Sequence, residues 1–324
     1  MLRPVQTIYL VGPTACGKSA VALELARMIG TGSGTASRSA PLPVASGGGS
    51  GSASATEIVS ADSMQVYRGL DIGTAKPNPA ERAAVPHHLL DVAEVGEVFD
   101  VKRFVTLAEE AIAGIHARGR TALVVGGTGL YVRGLRQGLF AGPGRDPVLR
   151  DRLEKLSPTE LFTELAEVDP ETAARIDPHN PRRLVRALEV WHTTGQSISE
   201  LQKEWADSPR TTHHAPLFGL LRDRADLVAR INRRVDEQMA AGWLAEARGL
   251  TTDTAAMGYR ELRSGMPLPA AVARIKTLTR QLAKRQMTWF RKEPGLVWVT
   301  VAADEPPRRT AERIQEELKQ LEDA

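Results

Sequence analysis

The sequence predicts an α/β protein: a P-loop, doubly wound parallel sheet core with an inserted all-helical domain. Three observations support this fold class. Short apolar strands alternate with helical patterns along much of the chain, and a Gly-rich phosphate loop joins the first strand to the first helix. From about Asp146 onward the strand patterns stop, and they return only near Pro216. With 324 residues, the chain is long enough for one large or two modest domains.

The first half of the chain alternates strands with helices. Apolar, β-prone runs predict strands at 6–11, 57–61, 87–90 and 121–125, and helical spacing predicts helices at 19–29 and 100–118. Between the first helix and the second strand, 13 of the 26 residues in 31–56 are Gly or Ser. Such a segment buries too little apolar surface to offset its ordering entropy, so we expect a disordered surface loop there.

The second half opens with helices alone. Between 150 and 205 the helical patterns are broken at four prolines: Pro158, Pro170, Pro178 and Pro181. The later elements are a strand at 216–221, helices at 224–241 and 270–292, a strand at 297–301 and a helix at 306–321. We therefore expect residues 1–140 and 214–324 to form the P-loop α/β core and residues 141–213 to form the helical insertion domain.

The composition excludes several classes of protein. A hydrophobic content of 42% without an apolar run of membrane-spanning length argues against a membrane protein. The first residues are typical of a strand rather than a secretory signal, so we expect a cytoplasmic protein, with a monomer as the default. The single cysteine, Cys16, excludes an intramolecular disulfide and a Cys-based zinc finger.

The strongest motif is a complete phosphate-binding loop, G-x-x-x-x-G-K-[ST], between a predicted strand and a predicted helix. Lys18 would neutralise phosphate oxygens and the Ser19 hydroxyl would reach Mg²⁺, while loop amides and the helix N-terminus bind a diphosphate. A passive glycine turn is the alternative. The strand at 121–125 ends in glycine rather than in a metal-binding Asp, which favours a kinase or transferase over a motor. The loop consists of Gly12, Pro13, Thr14, Ala15, Cys16, Gly17, Lys18 and Ser19.

Two further polar groups are expected beside the loop. Asp62 and Thr128 each follow a predicted strand, and ligands of open α/β sheets lie at the carboxyl ends of strands. Asp62 could accept a proton from a nucleophile, bind Mg²⁺, or merely cap a short helix. Thr128 could donate to a ligand or close a turn. The turn-rich segment 67–77 suits a substrate loop.

A basic segment lies near the carboxyl terminus. Residues 262–292 contain eight Arg or Lys and no Asp or Glu, although the net charge of the chain is only +3. Lys276, Arg280 and Lys284 share one helical face and would suit successive phosphates of RNA. A solvated helix face is the alternative, which the absence of acidic residues weakens.

Seven strings of residues together resemble the bacterial tRNA dimethylallyltransferases. In order, they are GPTACGKS, ADSMQVYRGLDIGTAKP, PHHLLD, GGTGLYVRGL, DPHNPRRLVRALEV, MGYRE and TRQLAKRQMTWFRK, and they span nearly the whole chain. The resemblance implies transfer of a dimethylallyl group from dimethylallyl diphosphate to N6 of the adenine immediately 3′ of the anticodon, with Mg²⁺ required and diphosphate released. The substrate would be the anticodon stem-loop of tRNA.

The resemblance also implies residue roles. It makes Asp62 the general base and assigns the residues from Thr14 to Ser19 to the prenyl diphosphate, with catalytic roles for Thr14 and Lys18. It also puts Arg224 near the diphosphate as a catalytic residue, while the metal ligand that the phosphate-loop motif itself predicts is Ser19. The implied tRNA contacts are Asp62, Ser63, Met64, Gln65, Thr128, Arg150, Arg182, Arg183, Leu184, Val185, Arg186, Met257, Gly258, Tyr259, Arg260, Lys284, Arg285, Gln286 and Arg291. The chain departs from the family pattern in the long 31–56 stretch and in a short segment before Met257.

Other functions stay open at this point. A prenyltransferase acting on free adenine nucleotides would need neither the helical insertion nor the basic helix. A small-metabolite or nucleotide kinase would use the same P-loop but consume ATP. A P-loop RNA-binding protein without chemistry is the third alternative.

Overall fold

The predicted sheet is present in a computed structural model that describes residues 7–31, 55–139, 142–207, 215–254 and 256–323. Residues 32–54 of the predicted Gly/Ser-rich loop lie outside these ranges. The six strands are β1 (Thr7–Val11), β2 (Thr56–Ala61), β3 (His87–His88), β4 (Thr121–Gly126), β5 (Leu217–Leu221) and β6 (Leu296–Thr300). They form one parallel sheet in the order β3-β2-β4-β1-β5-β6. The predicted α/β fold class is confirmed.

Fourteen helices lie in the described ranges. They are α1 (Lys18–Thr31), α2 (Pro79–Ala84), α3 (Val101–Ala117), α4 (Gly129–Gln137), α5 (Pro147–Leu153), α6 (Pro158–Val168), α7 (Pro170–Ala173), α8 (Pro181–Thr194), α9 (Ile198–Asp207), α10 (Arg224–Ala240), α11 (Trp243–Gly249), α12 (Tyr259–Arg263), α13 (Leu268–Phe290) and α14 (Pro307–Asp323). None of these helices is both long and apolar enough to cross a membrane.

Parallel strands buried on both faces produce the apolar runs seen in the sequence. Every residue of β1 and β2 is buried, and β1 lies between β4 and β5 near the middle of the sheet. Helices α1 and α14 pack side by side on the sheet, where Leu25 and Ile314 join one core. A second cluster of this unit contains Trp243 and Tyr259.

The chain divides into two units, residues 1–136 with 213–324, and residues 137–212. The second unit contains α5–α9. Three prolines that interrupt its sequence pattern, Pro158, Pro170 and Pro181, each begin a helix, because proline fits the first helical position, where no N–H bond is lost. The helical insertion domain that we propose, 141–213, falls on this second unit.

Two sequence predictions about local structure were wrong. The strand expected at 87–90 ends at His88, because Leu89 (φ 61°) and Asp91 (φ 58°) have left-handed backbone conformations that leave the extended region. No helix follows Asp62. Residues 63–66 form turns instead, and Oδ1 of Asp62 accepts from the Met64 N–H at 2.8 Å.

Candidate active site

The phosphate loop lies between the end of β1 and the start of α1. Gly12 has φ 146°, and a Cβ at this position would lie 3.0 Å from the carbonyl oxygen of Leu220, so the turn requires glycine. Nζ of Lys18 donates to the carbonyl oxygen of Pro13 at 2.7 Å. Cys16 is fully buried in the sheet core, as expected for a small space-filling residue of the loop.

Two arginines hold the loop from outside. Nε of the buried Arg222 donates to the carbonyl oxygen of Cys16 at 2.8 Å, and Nε of Arg230 donates to that of Ala15 at 3.1 Å. Both side chains thus satisfy loop carbonyls, and the loop amides that are not bonded within the protein remain available to a ligand.

A third arginine, Arg234, lies one helical turn beyond Arg230 and lines both cavities beside the loop. Within the described residues it has no ion-pair or hydrogen-bond partner. Burial lowers the pKa of its guanidinium, and the negative charge of Asp62 opposes that shift. Arg234 is half-buried, and a guanidinium that is partly withdrawn from water without a partner is costly, so its position suits an anionic ligand.

Arg224 does not lie at the phosphate loop. It is exposed at the first position of α10 and lines neither cavity. The role of Arg224 at the diphosphate therefore stays a prediction that this geometry does not support, whereas Arg234 of the same helix lines both cavities. Sequence reasoning missed Arg230 and Arg234, although their i, i+4 spacing on a predicted helix was the signal that they share a face.

Asp62 lies where the sequence predicted, at the end of β2. It lines the same cavity as Thr14, Lys18 and Ser19. While Oδ1 accepts from Met64, Oδ2 has no donor among the described residues. One carboxylate oxygen thus holds the turn, and the other remains available to a ligand.

Thr128 fixes the turn that carries Asp62. Its Oγ1 accepts from the backbone N–H of Ser63 at 3.1 Å, and its own N–H donates to the carbonyl oxygen of Ala61 at 3.2 Å. These bonds cross from β4 to the neighbouring β2. The hydroxyl of Thr128 therefore has a structural partner in addition to any ligand.

Two glutamines implied as RNA contacts bind protein groups in this structure. Nε2 of Gln65 donates to the carbonyl oxygens of Thr74 and Ala75, both at 3.2 Å. Gln286 accepts from the N–H of Thr14 at 2.8 Å and donates to the carbonyl oxygen of Gly127 at 3.0 Å. Both side chains thus brace the walls of the cavity.

The turn-rich segment predicted as a substrate loop is clamped by one carboxylate. Glu246 accepts from three consecutive backbone N–H groups at 3.0, 2.8 and 3.0 Å, those of Asp71, Ile72 and Gly73. The hydroxyl of Tyr259 donates to the same carboxylate at 2.5 Å. Tyr259 and its neighbour Gly258 are buried, so a contact of this segment with RNA depends on Met257 and the exposed Arg260. No sequence motif pointed to Glu246.

Two openings adjoin the phosphate loop. The inner cavity, about 70 Å³, has a mainly polar lining that also includes the apolar residues Ala22, Leu23, Ile58 and Val125. The outer groove, about 1220 Å³, is lined by the phosphate loop, the segment after Asp71 and the arginines of α10. Lys18, Ser19 and Arg234 line both. The arrangement suits a ligand that has a phosphate head and a small apolar tail.

Only some of the basic side chains of helix α13 are free of protein partners among the described residues. Lys276 pairs with Asp236 at 2.6 Å, and Nη1 of Arg280 donates to Oδ1 of Asn232 at 2.8 Å, so these two side chains face α10. The expected stripe of three free cations is therefore wrong for these two. Lys284, Arg285 and Arg291 are exposed and have no ion pair within the described residues.

In the helical unit, the residues implied as RNA contacts divide by burial. Leu184 and Val185 belong to its hydrophobic core, whereas Arg182 and Arg183 are exposed. Arg150 and Arg186 are partly exposed, and both bind the buried carboxylate of Glu189.

A phosphate loop on a parallel sheet, with a carboxylate at the end of a nearby strand, defines a P-loop α/β protein whose site suits a phosphorylated ligand. Residues 65–293 match the model of the IPP transferase family, and the chain belongs to that family. The resemblance found in the sequence is thereby confirmed.

Similar proteins agree with this assignment. A tRNA dimethylallyltransferase of Anaeromyxobacter sp. (strain Fw109-5) is 44% identical over 312 residues, 92% of this chain and 95% of the relative. The crystal structure of the full-length tRNA isopentenylpyrophosphate transferase from Bacillus halodurans is 34% identical, with a TM-score of 0.64 over 99% of this chain and all of that one. A eukaryotic dimethylallyltransferase acting on tRNA is 25% identical, with a TM-score of 0.73 over 97% of this chain and 80% of that one.

Proposed function

We propose that this protein transfers the dimethylallyl group of dimethylallyl diphosphate to N6 of the adenine immediately 3′ of the anticodon in tRNA. The observation that carries the proposal is the shared inner cavity, where the phosphate loop, the carboxylate of Asp62 and apolar residues meet. Relatives with 44% identity bear the name of this activity. Because the substrate would be tRNA, the same proposal puts the protein in the cytoplasm.

The phosphate loop would hold the diphosphate. Lys18, the loop amides and the guanidinium of Arg234, which has no partner among the described residues, would supply positive charge where the leaving group gains negative charge. The side chain of Thr14 lines this cavity and would lie beside the diphosphate. The four apolar residues of the lining would contact part of the five-carbon tail and help to exclude water from it.

Asp62 would act as the base. The bond from C1 of the dimethylallyl group to adenine N6 forms, the bond from C1 to the diphosphate oxygen breaks, and Oδ2 of Asp62 takes the proton from N6. The adenine amine is a weak nucleophile, so most of the acceleration must come from positioning and from stabilising the departing diphosphate. An adenine in a structured loop must leave its stack to reach the carboxylate of Asp62.

The site fits Mg²⁺ by its chemistry. Among the described residues, no cluster of three or more acidic, His or Cys side chains forms a complete metal cage. The Ser19 hydroxyl and the Asp62 carboxylate are, however, hard oxygen donors that line the diphosphate cavity, and Mg²⁺ prefers few protein ligands together with phosphate oxygens. Ser19 would hold the ion, and the ion would neutralise charge on the diphosphate.

The tRNA would be bound by exposed cations of both units. In the core these are Lys284, Arg285 and Arg291, with Arg260 of the Met257–Arg260 segment. In the helical unit they are the exposed Arg182 and Arg183, joined by the partly exposed Arg150 and Arg186. The Asp62–Gln65 turn and Thr128 would adjoin the target base.

The direct test is incubation of the full chain with dimethylallyl diphosphate and an unmodified tRNA transcript, followed by mass analysis of the nucleosides. The expected product is an adenosine that carries one added C₅H₈ unit. Free AMP as acceptor tests the nucleotide prenyltransferase, and ATP consumption tests the kinase. Product on AMP but not on tRNA would contradict the proposal.

A further inference from the structure

Glu189 is a carboxylate of α8 with no exposed side-chain surface. Its Oε1 accepts from the backbone N–H of Asp146 at 2.9 Å and from Nε of Arg150 at 2.8 Å. Its Oε2 accepts from Nη2 of Arg150 at 3.0 Å and from Nη1 of Arg186 at 2.7 Å. The carboxylate of Glu189 thus accepts four hydrogen bonds, whose donors belong to α5, to α8 and to the residue before α5.

The carboxylate is held in its charged form. Burial by itself would raise the pKa of Glu189, but the hydrogen bonds from Arg150, Arg186 and the Asp146 backbone outweigh burial and lower it to about 2. Two guanidinium groups face one carboxylate, so the cluster keeps one net positive charge.

The two arginines keep donors that Glu189 does not use. Nη2 of Arg186 donates to the carbonyl oxygen of Pro143 at 3.0 Å, which fixes the plane of that guanidinium. Nη1 of Arg150 has no acceptor in the part of the chain that the structure describes. The side chains of Arg150 and Arg186 are 24% and 33% exposed, so their free N–H groups reach solvent in fixed directions.

We propose that Glu189 is a positioning residue for RNA binding, which holds Arg150 and Arg186 so that their remaining N–H groups meet the phosphate backbone of the RNA. This inference rests on the proposed function. Phosphate is the ligand of choice because a planar guanidinium donates to it through two parallel bonds, and because a fixed pair of guanidiniums with net positive charge selects an anion. Exposed Arg182 and Arg183, at the start of the same helix, extend the cationic surface.

Positioning matters because a free arginine must lose rotamer freedom when it binds. Glu189 imposes that loss during folding, before RNA arrives. Glu189→Gln retains the shape of the side chain, but its amide N–H₂ faces guanidinium donors and releases at least one of them. The expected result is a KM for tRNA that rises about tenfold. The kcat at saturating tRNA and the KM for dimethylallyl diphosphate should stay within about twofold, because the chemistry lies elsewhere.

The matched control is Glu164→Gln. Glu164 is a carboxylate of the same unit that bonds Nε2 of His192 at 2.6 Å and has no ion pair with an arginine among the described residues. E164Q should leave the KM for tRNA unchanged. The dissociation constant for an unmodified tRNA transcript, measured without prenyl donor, should follow the KM for each variant.

A combined variant separates positioning from mere stability. In a chain that already carries R150A and R186A, E189Q should raise the KM for tRNA by less than about twofold, because the two arginines through which Glu189 acts are absent. An equal loss in both backgrounds, or an unchanged KM for E189Q alone, would overturn the inference.

Arg150→Lys covers the case in which E189Q fails to fold. It keeps the charge but loses the two-bond contact with Glu189, so the inference expects a raised KM for tRNA. A KM equal to that of the wild type would mean that charge alone matters and would overturn the inference. No prenyl transfer by the wild-type chain would instead count against the proposed function.

Discussion

The backbone N–H of Thr14 donates to Oε1 of Gln286 at 2.8 Å, although the two residues are 272 positions apart. Through its Nε2, Gln286 also donates to the carbonyl oxygen of Gly127. One side chain of α13 thus joins the phosphate loop to the end of β4. A ligand that binds the Thr14 N–H must share or replace this bond, so we expect Gln286 to affect the prenyl donor more than the RNA.

Gln286→Glu tests this expectation. The new carboxylate still accepts from Thr14, but it brings a negative charge against the diphosphate and faces the carbonyl oxygen of Gly127. The KM for dimethylallyl diphosphate should rise at least about tenfold, since like charges at close range repel strongly in a partly buried site. Gln281→Glu, the same change at an exposed position of α13, is the control. A larger effect on the KM for tRNA than on that for the donor would make Gln286 an RNA contact.

The sequence predicted the strands well for a physical reason. Parallel strands such as β1 are buried on both faces and must be continuously apolar, and a carboxylate after a strand, such as Asp62, must lie at the ligand edge of the sheet. The local sequence pattern was therefore enough to predict the sheet and the positions of Asp62 and Thr128 after their strands.

The sequence failed where long-range packing decides the outcome. Arg224 and Arg234 belong to one helix, but they are ten residues apart, and at 3.6 residues per turn they lie on different faces of it. Only the packing of the helix determines which face meets the loop. Lys276 and Arg280 seemed free because their own segment holds no acid, yet their partners, Asp236 and Asn232, come from another helix.

Arg234→Ala and Arg224→Ala form a matched pair on α10. Loss of Arg234 removes a cation from the diphosphate cavity, and removal of one preorganised group that stabilises developing charge typically costs about a hundredfold to a thousandfold in kcat. R224A should behave like the wild type, because Arg224 is exposed outside both cavities. The measurement is kcat at saturating donor and tRNA for both variants. A larger loss of kcat in R224A than in R234A would support Arg224, rather than Arg234, as the arginine at the diphosphate.

The free cations of α13 should dominate the salt dependence of RNA binding. Replacing Lys284, Arg285 and Arg291 by Gln should weaken tRNA binding and reduce the log–log salt slope by roughly 0.7 to 0.9 for each lost phosphate contact. Lys276→Gln is the control, because Lys276 is already paired with Asp236 and should leave the slope nearly unchanged. Equal slopes for the triple variant and the wild type would mean that this surface is only solvated.

The environment of Glu57 predicts how the free energy of unfolding depends on pH. Burial alone would raise the pKa of this carboxyl, but hydrogen bonds from Arg118, His88 and Arg120 outweigh burial and lower it from 4.5 to about 2. A lowered folded-state pKa stabilises the protein above the unfolded value, and that contribution, on the order of 3 kcal/mol, is lost as the pH falls from about 4.5 to about 2.

Glu57→Gln should therefore remove part of the acid dependence of unfolding. Urea unfolding at several pH values between 3 and 7 measures it: the free-energy difference between wild type and E57Q should be largest near neutrality and shrink as the pH falls. A difference that does not vary with pH would show that Glu57 contributes no titratable stabilisation.

Asp62→Asn tests the chemistry most directly. As a general base at the adenine amine, Asp62 should account for about a hundredfold to ten-thousandfold in kcat, while tRNA binding weakens little, because an amide still bonds near the base. As a Mg²⁺ ligand, its loss should raise the Mg²⁺ concentration needed for activity, and excess Mg²⁺ should restore it. If Asp62 is only a turn residue, Asn would accept from the Met64 N–H almost as well, and activity should be near normal.

Measurement of kcat, the tRNA dissociation constant and the Mg²⁺ dependence on this one variant separates the three roles. We expect the first outcome, because Oδ1 already holds the turn while Oδ2 has no donor among the described residues, and near-normal kcat at saturating Mg²⁺ would eliminate the base.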